Sequence, residues 1–231
     1  MRHRLAVFVH GTWREDYAWL VQPWCDRTGL VALAPLFPAG IAVARELDNY
    51  KFLASDDMRF DRLLLAIIDE IAAHWRIDTD DFLLFGFSGG AQFAHRFALL
   101  HPRRVRALAI AAAGSVTLPV DPRPFWVGTG DLTRRFGTAL DTRALSCIAI
   151  RAFVGDADIE TDEIHVQPHH ADWMEGANDS GRTRIDRGRA LVDAFRGCGA
   201  DAQLILVPSC GHDHRALLPH ALAFFDSILV G

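Results

Sequence analysis

The sequence predicts an α/β fold with a mostly parallel central sheet and helices on both faces. Three observations carry that reading. Short apolar, β-rich runs alternate with longer segments of helical period. One run, residues 82–85, is apolar at every position, as in a strand buried on both faces. The 231 residues are 50% hydrophobic and 23% charged, which suits one globular domain over residues 1–231.

Taken in order, residues 5–9 read as the first strand and 30–36 as the next, stopped by Pro35 and Pro38. Residues 59–75 carry Leu63, Leu64, Ile67, Ile68 and Ile71 at helical spacing, with Asp61, Asp69 and Glu70 opposite. Residues 78–81 read as a turn before the apolar strand 82–85. Gly86 to Gly90 then turns sharply into a helix over 91–100, ended by His101-Pro102. A strand over 105–113 precedes a Pro/Gly-rich stretch, 117–137, expected to be irregular. Residues 148–154 form a strand, and the polar segment that follows, to Gly181, has no clear period. An amphipathic helix over 182–196, a strand over 204–207 and a helix over 216–229 complete the chain. Internal repeats, low-complexity tracts and a domain linker are not evident.

Composition excludes several chemistries. The 24 Lys and Arg against 29 Asp and Glu give a net charge of −5, and nucleic acid is not an expected partner. Lys51 is the only lysine and lies in no P-loop or Schiff-base motif, which removes those readings. Cys25, Cys147, Cys198 and Cys210 are far apart without a C-x-x-C pair, so free, buried thiols are expected rather than zinc or a redox pair. The apolar run at 5–9 is interrupted by His10-Gly11-Thr12-Trp13-Arg14, whereas a signal peptide needs about 7–15 apolar residues. No run approaches the roughly 20 residues of a membrane span. A soluble, cytoplasmic protein is expected, and a homodimer stays open.

The most informative segment is Gly86-Phe87-Ser88-Gly89-Gly90, a G-x-S-x-G pattern between an apolar strand and a helix. A serine on such a turn is lifted above the sheet edge, and the flanking glycines must lack a Cβ where chains approach closely. The helix that follows aims its N-terminal N–H groups at the same spot. Ser88 is therefore the candidate nucleophile, and it needs a base and oxyanion donors. The donors expected are the N–H of Gly89 and one just after His10-Gly11, from Thr12 or else Trp13. His10 itself is expected to brace the loop.

The chain order Ser, Asp, His directs attention to Gly211-His212 after the last strand, which makes His212 the candidate base. His214 competes but lacks a preceding glycine and is expected at the rim or in solvent. The other histidines are expected mostly on the surface or in loops. The carboxylate should lie in Gly155-Asp156-Ala157-Asp158, where Asp158 is favoured over Asp156, with Asp131 third. Its role would be to fix the His212 tautomer and stabilise the imidazolium.

His10-Gly11, the Gly86–Gly90 turn, Gly155–Asp158 and Gly211-His212, in that order, resemble the α/β-hydrolase superfamily over nearly the whole chain. Within it the short chain without a large cap resembles the compact carboxylesterase and polyhydroxyalkanoate-depolymerase-like branch. The resemblance implies the α/β-hydrolase fold with little or no cap domain, an acyl-serine intermediate and no cofactor. The implied reaction is hydrolysis of small or medium carboxylic esters, a small-molecule ester being the expected partner. The same residues would also serve amides, thioesters, C–C bonds or acyl transfer, and a binding protein without turnover is the alternative of another class.

Other features carry less. His165, His169, His170 and Asp172 cluster, but Pro168 breaks any helix that would align them, and no metal is expected. Residues 160–181, with Trp173 and Met174, are a candidate mobile cover. The arginines of 182–196 are interleaved with Asp179, Asp186 and Asp193 and are expected to form a solvated face. Trp13, Tyr17, Trp19 and Trp24 either line an apolar pocket or fill the core.

Overall fold

Along the first strand, β1 (His3–Val9), Leu5, Val7 and Val9 enter one hydrophobic core while Ala6 and Phe8 enter another. A strand apolar on both faces has to lie inside a sheet covered on both sides. The computed structural model, which describes residues 3–40, 46–55 and 58–230, places it there. The sheet also contains β2 (Val31–Leu33), β5 (Ile77–Phe87), β6 (Val105–Ala111), β7 (Ala149–Gly155) and β8 (Asp201–Val207). All neighbours are parallel, in the order β2-β1-β5-β6-β7-β8. A two-stranded antiparallel ribbon, β3 (Ala54–Ser55) with β4 (Met58–Arg59), stands apart.

One face is covered by α2 (Phe60–His74), α3 (Gly89–Leu100) and α6 (Arg184–Gly197), the other by α1 (Tyr17–Thr28) and α7 (His214–Val230). Short helices α4 (Leu132–Phe136) and α5 (Thr142–Leu145) lie between β6 and β7. α3 runs through the middle with every residue buried, including Gln92, His95 and Arg96. Strand order reverses at β1, and loops after β1, β5 and β7 emerge at the carboxyl end of the sheet, where open α/β sheets bind ligands.

Several expectations need correction. The turn expected at 78–81 is continuous strand, because His3 and Arg4 pair with Ile77 and Asp78 and extend the ladder below the apolar run. Arg106 engages Asp81 and Arg104 donates to the Thr79 carbonyl, so these polar residues are held at the sheet's open end. The strand over 30–36 is only three residues long, and 117–137 includes α4. α1 was not legible because its face is mixed, with Tyr17, Val21 and Trp24 buried and Trp19 exposed. Cys210 is buried, but Cys147 is exposed and Cys25 and Cys198 are half-buried. His95 is fully buried, donating to the Ala91 carbonyl through Nδ1 and accepting the Thr117 N–H at Nε2.

Candidate active site

β5 ends at Phe87 and α3 begins at Gly89, leaving Ser88 as the single residue of the turn. Its φ of 51° with ψ of −112° is a conformation that a side chain strains to adopt. The turn closes only because its glycines lack side chains: a Cβ on Gly86 would meet the Gly90 carbonyl, and one on Gly90 the carbonyls of Val9 and His10. The Ser88 N–H donates to the Ala111 carbonyl, fastening the turn to β6.

His212 lies on the loop between β8 and α7. That loop sits against the end of β7, where a Cβ on Gly155 would collide with the Cys210 carbonyl. The Ala157 N–H donates to that carbonyl at 2.9 Å, and the Asp156 N–H to Val207 at 3.0 Å. Two loops stitched this way bring His212 Nδ1 to 2.9 Å from Asp158 Oδ2 and His212 Nε2 to 3.1 Å from Ser88 Oγ. With Nδ1–H donating to the carboxylate, Nε2 is left to accept from the serine. Asp158 is buried, Asp156 is exposed, and Asp131 stands just before α4, where its side chain accepts from the Phe125 N–H and pairs with Arg134. Of the three acids, the structure brings only Asp158 to His212.

Arg184, at the start of α6, donates through Nη1 to Asp158 Oδ1 at 2.9 Å and through Nη2 to Glu163 at 3.0 Å. Burial pushes the Asp158 carboxyl up, but the hydrogen bond from His212 and the charge of Arg184 outweigh it, and the group titrates below the usual carboxylate range. This overturns the solvated-face expectation for Arg184 and Arg187, whereas Arg182, Arg189 and Arg196 are exposed as expected. Arg184 and Arg187 are both buried, and Arg187 ties the Gly114 and Gly181 carbonyls to Asn178. Interleaved acids do not distinguish an exposed arginine from one whose fork crosses into the neighbouring loop.

The loop after β1 packs beside the serine. His10 is buried, with Nδ1–H donating to the Gly11 carbonyl at 2.7 Å and Nε2 accepting from the Phe37 N–H. Burial pulls its pKa down, so it is neutral and braces the loop as expected. Glu15 accepts the Gly11 N–H at 2.5 Å, and Asp48 accepts the Thr12 hydroxyl at 2.6 Å. The Thr12 amide nitrogen lies 3.5 Å from the point where a Gly89 side chain would begin. The N–H groups of Thr12, Trp13 and Gly89 have no acceptor among the described residues.

A cleft of about 610 Å³ opens over Ser88 and His212. Its walls include Trp13, Phe52, Phe87 and Trp126, and Glu163, Ile164, His165 and Asp172 border it from the 160–181 segment. Trp13 is therefore a pocket residue, although 84% exposed, whereas Tyr17 and Trp24 belong to the core and Trp19 faces outward. His214 is half-buried, its ring against Tyr17 and Phe87, and makes no contact with the serine. Among the described residues no group of three potential ligands is arranged to hold a metal, and no helix is long and apolar enough to cross a membrane.

The floor of the cleft rests on Arg96, which is fully buried and has no ion-pair partner among the described residues. Its donors reach Thr117 Oγ1, Ser115 Oγ, Gln92 Oε1 and the Lys51 carbonyl. Burial lowers its pKa to about 9, which leaves it charged at neutral pH. Nothing in the sequence reading singled out Arg96. Its signal was a charged residue in an otherwise apolar helix next to the serine turn.

No protein-family model matches the chain, and no curated protein matches it in sequence. Solved structures do. LpqC, a poly(3-hydroxybutyrate) depolymerase from Bordetella parapertussis, is 26% identical with a TM-score of 0.74, covering 98% of this chain and 80% of that one. Poly(aspartic acid) hydrolase-1 from Sphingomonas sp. KT-1 is 19% identical with a TM-score of 0.75, covering 96% and 87%. An S-formylglutathione hydrolase from Agrobacterium tumefaciens is 15% identical with a TM-score of 0.60, covering 99% and 84%. The last two show likeness of fold alone. The six-stranded parallel sheet, the turn that carries Ser88 and these likenesses together place the chain in the α/β-hydrolase superfamily, where it is similar to compact esterases and a depolymerase.

Proposed function

We propose that the chain is a serine hydrolase that cleaves carboxylic esters of small or medium acyl groups. The observation that carries this reading is the unbroken hydrogen-bonded series Ser88–His212–Asp158 at the mouth of the cleft. Hydrolysis in general is supported by the structural neighbours, which include esterases and a depolymerase. Nucleic acid and cofactors have no role in the proposal.

In the proposed reaction Ser88 Oγ attacks the ester carbonyl carbon while His212 Nε2 takes the hydroxyl proton. The carbonyl oxygen, now an oxyanion, accepts hydrogen bonds from the N–H groups of Thr12 and Gly89. Asp158 holds the His212 tautomer and offsets the charge of the imidazolium. His212 returns the proton to the departing alkoxide as the C–O bond breaks, leaving an acyl-Ser88. Water then attacks that acyl group with its proton passing to His212, and the collapse of the second intermediate returns the proton to Ser88 and frees the acid. The segment 160–181 covers the cleft and shapes what the serine receives, and the whole chain acts as one catalytic domain.

A strained serine with its base aligned is costly to keep in a protein that only binds, so the binding-protein reading is disfavoured. The test is turnover of short p-nitrophenyl esters by the wild type, Ser88→Ala and His212→Ala. Each substitution should reduce kcat by several orders of magnitude. Substantial residual turnover in either variant would overturn the assignment.

A further inference from the structure

In the proposed reaction the loop after β1 gives the oxyanion the Thr12 N–H, part of the peptide unit between Gly11 and Thr12. The carbonyl of that unit is fastened behind it, accepting His10 Nδ1–H at 2.7 Å and the Arg14 N–H at 3.1 Å. The Gly11 N–H is occupied by Glu15 at 2.5 Å, which leaves Thr12 as the next donor along the chain. Thr12 is also held by its own side chain: its hydroxyl donates to Asp48 Oδ1 at 2.6 Å. Thr12 Oγ1 and the Thr12 amide nitrogen lie 3.4 and 3.5 Å from the point where a Gly89 side chain would begin, so hydroxyl and donor flank the same spot. A β-branched residue has few χ1 wells, and fixing its oxygen restrains the backbone that carries the N–H.

Asp48 is itself anchored. Its N–H donates to Glu46 Oε1 at 2.7 Å, and its Oδ2 accepts from Lys51 Nζ at 3.2 Å. The Lys51 carbonyl accepts from Arg96, which is fully buried on α3, the helix that opens with Gly89. Tyr50 donates its hydroxyl to the His10 carbonyl at 2.8 Å, and Arg14 reaches the Leu47 carbonyl at 3.3 Å. Residues 46–51 therefore tie together the β1 loop and α3, the two elements that supply the donors. Within 46–51 the side chain that reaches Thr12 itself is that of Asp48. A carboxylate opposes a nearby oxyanion by its charge, and Lys51 offsets that charge, so what Asp48 supplies is an acceptor in a fixed place.

We propose that Asp48 is a positioning residue for the oxyanion hole: by accepting the Thr12 hydroxyl it aims the Thr12 N–H at the oxygen that develops charge. The inference rests on the esterase reading, with Ser88 as nucleophile and Thr12 as donor. A donor aimed in advance needs no reorganisation during the reaction, and its effect falls on the transition state rather than on the bound ester. Loss of the anchor should therefore lower kcat and leave KM in place. Acylation and deacylation both pass through an oxyanion, so this holds whichever step is slower.

The experiment is a double-mutant cycle on turnover of p-nitrophenyl butyrate: wild type, Thr12→Val, Asp48→Ala and the double variant, with Asp48→Asn as the conservative change. Thr12→Val keeps the β-branch and the N–H and removes only the hydroxyl. Asp48→Leu, similar in size and without an acceptor, takes the place of Asp48→Ala should the alanine variant not fold. Each single change should lower kcat about tenfold with KM altered by less than about twofold. The double variant should fall no further than the worse single one, because the two side chains act as a unit. Asp48→Asn, which keeps an acceptor for Thr12, should recover most of the loss. Additive losses, a loss carried by KM, wild-type kcat in Thr12→Val, or Asp48→Asn as impaired as Asp48→Ala would each overturn the proposal. The rate of fluorophosphonate labelling at Ser88 is read across the same variants, since the phosphoryl oxygen enters the same hole, and it carries the cycle if the ester is not turned over. Wild-type protein that reacts without this coupling overturns the role of Asp48 alone. Wild-type protein that neither labels nor cleaves the ester overturns the esterase reading itself.

Discussion

Arg184 and His212 share one carboxylate: Asp158 gives Oδ1 to the guanidinium and Oδ2 to the imidazole, each at 2.9 Å. The acid is thereby fixed in rotation, and the edge that faces the histidine is chosen for it. Arg184 also holds Glu163 at the rim, so the residue that orients the acid is bound to the segment 160–181 as well.

Arg184→Gln should therefore lower kcat/KM at neutral pH by about ten- to a hundredfold, since a misplaced orienting group weakens general base catalysis by that order. The Arg184 charge also helps to hold the Asp158 carboxyl below its usual range, so its removal raises that carboxyl. The acid limb of the pH–kcat/KM profile should move to higher pH, and an Arg184→Lys variant should restore part of the shift. A profile that keeps its wild-type acid limb in Arg184→Gln would show that the guanidinium does not act on the pair.

Strain at Ser88 is testable with two variants that both lack the hydroxyl. At φ 51° and ψ −112°, alanine keeps the clash that glycine escapes. Ser88→Gly should be more stable than Ser88→Ala by about 1 kcal/mol, a difference of roughly 2–4 °C in Tm. Calorimetry of the pair reads it directly, and equal melting temperatures would mean the turn is relaxed.

A second buried carboxylate governs stability in acid. Asp61 is fully buried at the start of α2. Burial pushes it up, but hydrogen bonds from His101 at 2.8 Å and from Arg59 at 2.7 and 2.8 Å pull it down to about 2. A carboxylate depressed in the folded state stabilises above its unfolded pKa of about 3.9, and that contribution is lost as pH falls through the folded value. Asp61→Asn should cost about 2 kcal/mol at pH 7, measured by urea unfolding. The gap to wild type should shrink below pH 4, and a gap that persists at pH 2 would place the effect in packing instead.

Arg187 ties Asn178 and Gly181, at the end of the segment 160–181, to Gly114. Arg187→Met takes the donor from the buried Gly114 carbonyl and from Gly181, while Asn178 Oδ1 keeps the Val166 N–H, and should destabilise by about 2 kcal/mol. Proteolysis should then cut first within 160–181. Cutting elsewhere, with 160–181 intact, would show that Arg187 does not hold that segment.

The parts of this molecule that were legible in the sequence are local ones. A strand buried on both faces must be apolar throughout, and a serine on a tight strand-to-helix turn must be flanked by glycines. Both constraints are written in consecutive residues, and residues 82–90 satisfied them. His212 and Asp158 followed because each loop leaves a strand of known order. Arg184, Arg96 and Asp48 were not legible, because their roles depend on what lies across the fold. The same arginine spelling serves a solvated helix face at Arg189 and a buried clamp at Arg184. The acids interleaved along the helix predicted solvent for both. The strand over 77–81 was hidden for a related reason: its polar residues are paired by Arg104, just before β6, and by Arg106 within it, not by their own pattern.

The central claim is that Ser88 is an activated nucleophile, and labelling with a fluorophosphonate followed by peptide mass spectrometry tests it most directly. The probe reports an activated serine whatever the natural ester is. The account predicts an adduct on Ser88 in the wild type that is lost in His212→Ala. Folded protein that forms no adduct, or forms one equally well without His212, would contradict it.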